Sequence, residues 1–329
     1  MILLVALCLI FGLLELITGS VSIDFQSILS ILGKNESESA QSVIIWESRI
    51  PRLFAAFWAG AGLALSGWIM QTLFRNPLAS PSILGITSGA SLGVALLMMS
   101  GFLIGVPLQG TLGTFTIAGG AMLGAVLVLL LVIAIASRMR DQVSLLIVGI
   151  MLGHFTSAIV SVLQFKTNPE ALRSYVLWGM GTFTDTNYLE ILLMATIVAM
   201  GAVVIFFKKK ALNILMLGDE YAQSLGVSVK KMRVVMIIVS GTMAGVITAF
   251  CGPIAFIGLA VPHFTRILLK TTHHATLFLP MILMGAAVGM GCDLISKTAE
   301  VPLNAVTSAM GAPVVIFILV KNAKSKALI

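Results

Sequence analysis

Charge is scarce in this chain. Only 10% of its 329 residues are Asp, Glu, Lys or Arg, while 58% are hydrophobic, and the mean hydropathy is +1.07. A soluble domain of this length needs far more polar side chain to cover its surface, so a water-soluble enzyme or binding module is excluded. Cysteine is scarcer still. Cys8, Cys251 and Cys292 stand singly in apolar runs, with no CxxC and no histidine cluster beside them. They read as small core residues, and neither a disulfide framework nor a metal site follows. Two catalytic signatures are also missing: GxxxxGK[ST] and HExxH do not occur, so the chain has no means of cradling nucleotide phosphates or of assembling that zinc-hydrolase site. It reads as a non-enzyme with no cofactor. The net charge of +7 does not call for nucleic acid, because the basic residues lie in short segments between apolar runs, where membrane topology accounts for them.

What the chain has in quantity is apolar sequence. A hydrocarbon core about 30 Å thick takes roughly 20 helical residues to cross. Ten runs approach that length: 2–18, 53–74, 84–104, 112–137, 142–165, 188–207, 232–251, 254–270, 276–297 and 303–320. The expectation is an all-α polytopic membrane protein of about ten spans, a single transmembrane domain over 1–329. The first run lacks a basic leader and a small-residue cleavage site, so it reads as a span rather than a signal peptide. The run 254–270 is short and carries Pro262 and His263. Lys and Arg fix the orientation: Arg75, Arg138, Arg140, Lys208, Lys209, Lys210, Lys230, Lys231, Arg233, Arg266, Lys270, Lys321, Lys324 and Lys326 lie on one side, and outnumber Lys34, Arg49, Arg52, Lys166, Arg173 and Lys297 on the other. The richer side is cytoplasmic, which places both termini inside. Two breaks echo each other, Asn76-Pro77-Leu78-Ala79 after the second run and Gly252-Pro253-Ile254-Ala255 after the seventh. They suggest an inverted repeat of spans 2–5 and 7–10.

Several positions stand out from this background. Pro77 cannot donate a backbone hydrogen bond and pushes its predecessor out of helical geometry, so a helix break is required at Asn76. The segment 208–233 is too polar to span. Gly218 and Gly226 are natural helix stops, and Asp219 and Ser228 are good N-caps. Two short helices, 211–217 and 220–225, are expected on the cytoplasmic surface. His154 is the ionisable side chain nearest the middle of a span. It is a candidate metal ligand or proton relay, or simply a hydrogen-bonding partner for a neighbouring helix. Glu15, Glu190 and Asp293 lie toward the outer ends of spans.

Five segments carry a resemblance: RIPR at 49–52, SGWIMQTLFRNPLASPSILGITSGASLG at 66–93, LNILMLGDEYAQSLGV at 212–227, GPIAFIGLAVPHFTR at 252–266 and EVPLNAVTSAMGAPVVIFIL at 300–319. In this order they resemble the FecCD-type permeases of ABC importers for iron–siderophore, haem and cobalamin. The resemblance implies a permease that does no chemistry. Two such subunits would form a central pathway in the cytoplasmic (inner) membrane. ABC ATP-binding subunits would attach inside, and a periplasmic or lipid-anchored binding protein would dock outside. By that resemblance Arg49, Arg52 and Lys297 are docking residues. Asn76, Pro77 and Leu78, with Gln142 and Val143, are gates, and His154 lies on the pathway. Leu217, Gly218, Asp219, Glu220, Ala222 and Gly226 couple to the ATPase. Lys297 replaces an arginine and loses its bidentate fork, and Gln142-Val143 depart from the small hydroxyl residues of some members. A ferric siderophore is the first expectation for cargo, with cobalamin and haem next. The alternative is an ion-coupled secondary transporter of a small polar solute. That mechanism usually needs a carboxylate at the centre of a span, and none is found.

Overall fold

The computed structural model describes residues 1–19, 21–34, 39–99, 110–136, 138–139, 142–184 and 186–326. Among them every regular element is helical. The chain opens with α1 (Ile2–Ile17), α2 (Phe25–Lys34) and α3 (Ala40–Ile44). A π-turn over Ile45–Arg49 joins α3 without a break to α4 (Ile50–Leu73). The segment 19–52, which reads as a polar connection, therefore includes two helices and the first turns of a third. Then come a 3-10 turn (Pro81–Leu84), α5 (Ile86–Met99), α6 (Gly110–Ala136), α7 (Gln142–Lys166) and α8 (Pro169–Gly179). The second half holds α9 (Tyr188–Leu215), α10 (Asp219–Ser224), α11 (Val229–Cys251), α12 (Ile257–Leu269), α13 (His274–Ala299) and α14 (Leu303–Lys326).

Six helices among the described residues are long and apolar enough to cross a membrane: Ala40–Leu73, Leu112–Ala136, Val143–Lys166, Tyr188–Leu215, Val229–Cys251 and His274–Ala299. The remaining expected spans are shorter apolar helices, Ile2–Ile17, Ile86–Met99, Ile257–Leu269 and Leu303–Phe317. The two inner ones are short for a local reason. After α4 the chain spends Phe74 to Gly85 in turns, and after α11 it spends Gly252 to Phe256. At 1.5 Å per residue, 13 or 14 helical residues then cover only about 20 Å.

Helix lengths repeat along the chain. From α4 to α7 they run 24, 14, 27 and 25 residues, and from α11 to α14 they run 23, 13, 26 and 24. A long buried helix, a proline-containing turn, a short helix and two long helices recur in the same order.

Helix α4 forms the centre, packed by α9, α11, α12 and α13. It is buried at almost every position from Ala55 to Leu73. Water does not drive helices together inside lipid, so close backbone approach carries the packing. A Cβ on Gly67 would lie 1.6 Å from the carbonyl oxygen of Gly258, and one on Gly93 would lie 2.0 Å from that of Gly120. No side chain fits at either crossing. Cys251 and Cys292 are buried free thiols and Cys8 is half-buried.

Candidate functional site

One end of the bundle, expected to face outward, gathers the three basic residues singled out in the sequence. Arg49, Arg52 and Lys297 line a single cavity of about 800 Å³ with Ser48, Ser296 and Glu300. Each is already engaged. Arg49, only 4% exposed, reaches the end of α1, where its Nη1 donates to the carbonyls of Leu16 and of Ile17 (3.0 Å) and its Nη2 to that of Val21. Arg52 grips Asp293 on α13 in bidentate fashion, Nε to Oδ2 at 2.7 Å and Nη2 to Oδ1 at 2.9 Å. Lys297 donates to the Glu15 carbonyl at 3.0 Å and to its carboxylate at 3.3 Å. Glu15 and Asp293 are each 1% exposed. Arg52 and Lys297 are thus paired with the buried Asp293 and Glu15, which offsets part of the mouth's positive charge. Glu190, also toward the outer end of a span, closes a capping box with Asn187 at the start of α9.

At the opposite end, α4 stops earlier than expected. The last helical residue is Leu73, and Arg75 takes a left-handed conformation (φ 46°) before the Asn76-Pro77 step. Asn76 then turns the chain by accepting the Leu78 N–H on its Oδ1 at 2.9 Å. The Pro77 carbonyl accepts from His263 Nε2 on α12 at 3.0 Å. The second proline turn is held in the same manner, since Asn304 Nδ2 on α14 donates to the Pro253 carbonyl at 2.6 Å. Both turns are pinned through the proline carbonyl by a helix of the second half.

Below the Asn76-Pro77 turn sits α10. The sequence suggests a separate helix over 211–217, but α9 runs unbroken to Leu215, because no helix breaker occurs between Lys208 and Gly218. The second short helix is found, shifted to Asp219–Ser224. Gly218 (φ 121°) and Gly226 (φ 80°) bound it in backbone conformations that side chains rarely adopt. Gly218 rather than Asp219 holds the N-cap position. The Asp219 carboxylate instead bridges two arginines: Arg75 Nη2 at 3.0 Å and Arg233 Nη2 of α11 at 3.2 Å. Ala222 is buried, whereas Leu217, Tyr221 and Leu225 are 65%, 54% and 53% exposed. Tyr221 and Leu225 lie one helical turn apart on the outer face, and Leu217 is exposed just before the helix, across the non-helical Gly218. Glu220 and Gly226 are also exposed.

The remaining expected gate residues are not gathered here. Val143 is exposed at the start of α7, and the Gln142 side chain lies outside the described residues. His154 is exposed on α7 rather than packed against a neighbouring helix. Sequence reasoning had passed over the partners. Asp293, Arg75 and Arg233 are charges at the ends of apolar runs, and that placement was the available signal for a pair. His274 gave less. It is fully buried, stacked on Trp68 at 4.7 Å, with Nδ1 donating to Asn213 Oδ1 at 2.8 Å and Nε2 facing the Thr72 hydroxyl at 2.9 Å. It ties α13, α9 and α4 together beside the turn.

The sequence and the fold both match known proteins. A sequence profile of the FecCD transport family matches residues 7–321. The vitamin B12 import system permease protein BtuC of Klebsiella pneumoniae is 34% identical over 284 residues, 85% of this chain and 83% of that protein. BtuC of Salmonella typhi is 34% identical over 286 residues, covering 86% and 85%. A solved structure described as a metal-chelate type ABC transporter in an inward-facing conformation matches with a TM-score of 0.83. It is 29% identical and covers 97% of both chains. PsaBC from Streptococcus pneumoniae shares the fold alone, at 14% identity and a TM-score of 0.53 over 89% of this chain and 95% of that one.

Proposed function

Because the chain belongs to the FecCD transport family, we propose that it is the membrane permease of an ATP-driven importer, carrying a bulky metal chelate along a path shared with a second permease subunit. Cobalamin and a ferric siderophore are the chelates that fit this reading, the former favoured by the BtuC relatives. All ten apolar helices cross or enter the membrane, and both termini lie inside. Matching helix lengths and matching proline turns support an inverted repeat of α4–α7 and α11–α14. The two half-length helices, α5 and α12, then correspond.

The observation that carries the reading is α10. A soluble-facing helix of six residues cannot hold itself together in water, yet this one is bolted to two spans through Asp219 and offers Leu217, Tyr221 and Leu225 outward. An exposed apolar patch with a rigid base is a contact surface. We assign it to the ATP-binding subunit, with Glu220, Gly218 and Gly226 shaping its rim. Asp219 then connects that surface to Arg75, next to the Asn76–Leu78 gate. At the outer mouth the binding protein docks over the cavity, where its carboxylates compete with Asp293 and Glu15 for Arg52 and Lys297. Arg49 braces the mouth from beneath. A proton- or sodium-coupled mechanism is not favoured, since the carboxylates of the described spans all sit at span ends.

Reconstitution tests the assignment. Co-purified with its ATPase and binding protein in liposomes, the wild type is expected to take up chelate only with ATP. Changing both Leu217 and Tyr221 to Asp is expected to release the ATPase on purification and cut uptake at least tenfold, with normal membrane abundance. Uptake driven by an ion gradient without any ATPase would refute the importer.

A further inference from the structure

Between α5, α7 and α8 lies a cavity of about 300 Å³ whose lining is unusual for so apolar a chain. Helix α5 contributes Thr87, Ser88 and Ser91, and α7 contributes Ser157, Ser161 and Gln164. Tyr175 of α8 closes one side. Val160 lies among the lining residues and packs with Ala95 and Met99 into an apolar floor. No ionised side chain lines it among the described residues.

Its depth follows from packing. Gly149 meets Ile83 and Leu84, and Gly153 meets Ser88, so α5 begins alongside the middle of α7. At 1.5 Å per residue, Ser157 stands about 22 Å from the Gln142 end of α7 and about 13 Å from the Lys166 end. The niche therefore runs from within the membrane toward the mouth at Lys166. Residues 157, 160, 161 and 164 recur at helical spacing and share one face. Ser157 and Ser161 are exposed in the subunit. A serine can satisfy its own hydroxyl on the preceding turn, as Ser161 does with the Ser157 carbonyl at 3.0 Å. A glutamine amide and a tyrosine hydroxyl converging with five small hydroxyls around open space cannot all be accommodated that way. In lipid this face is costly, and polar groups at membrane depth line water-filled cavities or buried interfaces.

We propose that this niche is a resting site on the pathway wall for the polar edge of the chelate, specific for uncharged amide, hydroxyl or hydroxamate groups. The proposal rests on the importer reading and names its substrate class. Hydroxyls and an amide offer both donors and acceptors, so they can replace water around neutral polar groups. A carboxylate there would lose hydration with no cation to compensate it. The niche is too small for a whole chelate, and takes one edge of it.

Single cysteines test the site in the intact complex, after the three native cysteines are replaced by alanine. Cysteine is nearly isosteric with serine, so Ser157→Cys and Ser161→Cys preserve the fold. An impermeant thiol reagent is expected to modify both at least tenfold faster than Leu127→Cys on the exposed side of α6. Saturating cyanocobalamin or a ferric trihydroxamate is expected to slow that reaction at least threefold, and haem, with its carboxylates, is not. The Ser157→Val/Ser161→Val double variant is expected to lower uptake at least fivefold with unchanged ATP hydrolysis. Labelling as slow as Leu127→Cys would place the niche against lipid or a sealed interface and overturn the proposal. Protection by haem alone, or wild-type uptake in the valine variant, would overturn it as well. Wild-type complex that shows fast labelling but no ATP-dependent uptake would instead overturn the importer reading and leave a water-filled niche without its transport role.

Discussion

Arg52 shows how a residue type can be legible while its partner is not. An arginine at the head of a span is by its chemistry alone an interfacial anchor, and the family resemblance makes it a docking group. The structure adds a buried carboxylate 2.7 Å away on a helix 241 positions later in the sequence. Removing one member of such a pair leaves the other charged and desolvated, at a cost of about 3–5 kcal/mol. Arg52→Gln is therefore expected to lower the melting temperature of the purified subunit markedly. Adding Asp293→Asn to that variant should recover much of the loss. Equal melting for wild type and Arg52→Gln would show that the pair contributes nothing to the subunit and return Arg52 to a pure docking role. Gly67 makes a similar point for packing. Its abundance class, small residue in a span, is plain from the sequence, but only the fold identifies Gly258 as the backbone it touches.

At the scale of elements, the break after α4 and the short helix α10 were both readable, because proline and glycine act locally. Their boundaries moved. Helix α9 ran on through Lys208–Asn213, where nothing opposes a helix, and α4 stopped three residues before Asn76 because Arg75 adopts a left-handed turn. The bridge from Asp219 to Arg75 and Arg233 ties α10 to the end of α4 and to α11, and we expect it to carry motion between them. An exposed ion pair such as Arg75–Asp219 is worth only about 0–1 kcal/mol, so its loss should not unfold the subunit. Arg75→Ala is expected to leave the ATPase bound and hydrolysing while the chelate moved per ATP falls at least fivefold. Asp219→Ala combined with Arg75→Ala should be no worse than Asp219→Ala alone, as expected when two residues form one link. Additive losses in the double variant would show that they act separately.

For the whole molecule the expectations concern topology and assembly. The exposed face of α10 and the Arg49–Lys297 mouth occupy opposite ends of the bundle, and the bias of Lys and Arg leads us to expect the first inside the cell. A cysteine at Gln223, exposed on α10, is expected to react with an impermeant reagent only in inverted vesicles, and one at Thr298 only in right-side-out cells. Labelling of Gln223→Cys from outside would invert the arrangement. Mass measurement of the complex released from lipid is expected to show two permease subunits, since α7 leaves His154 and two serines uncovered at membrane depth in a single copy.

The sequence by itself determined the solvent this protein lives in, its helical class, the places where helices must stop and the kinship of its signature segments. Each of those rests on local chemistry: hydropathy over about 20 residues, a missing N–H at Pro77, the torsional freedom of Gly218. Tertiary structure decided which charges are neutralised, where α5 and α12 begin within the membrane, and how three polar faces from α5, α7 and α8 close around one niche. Those outcomes depend on residues far apart in the chain meeting across helices. Helical periodicity shows which residues share a face, but it does not show which face of another helix will lie against it.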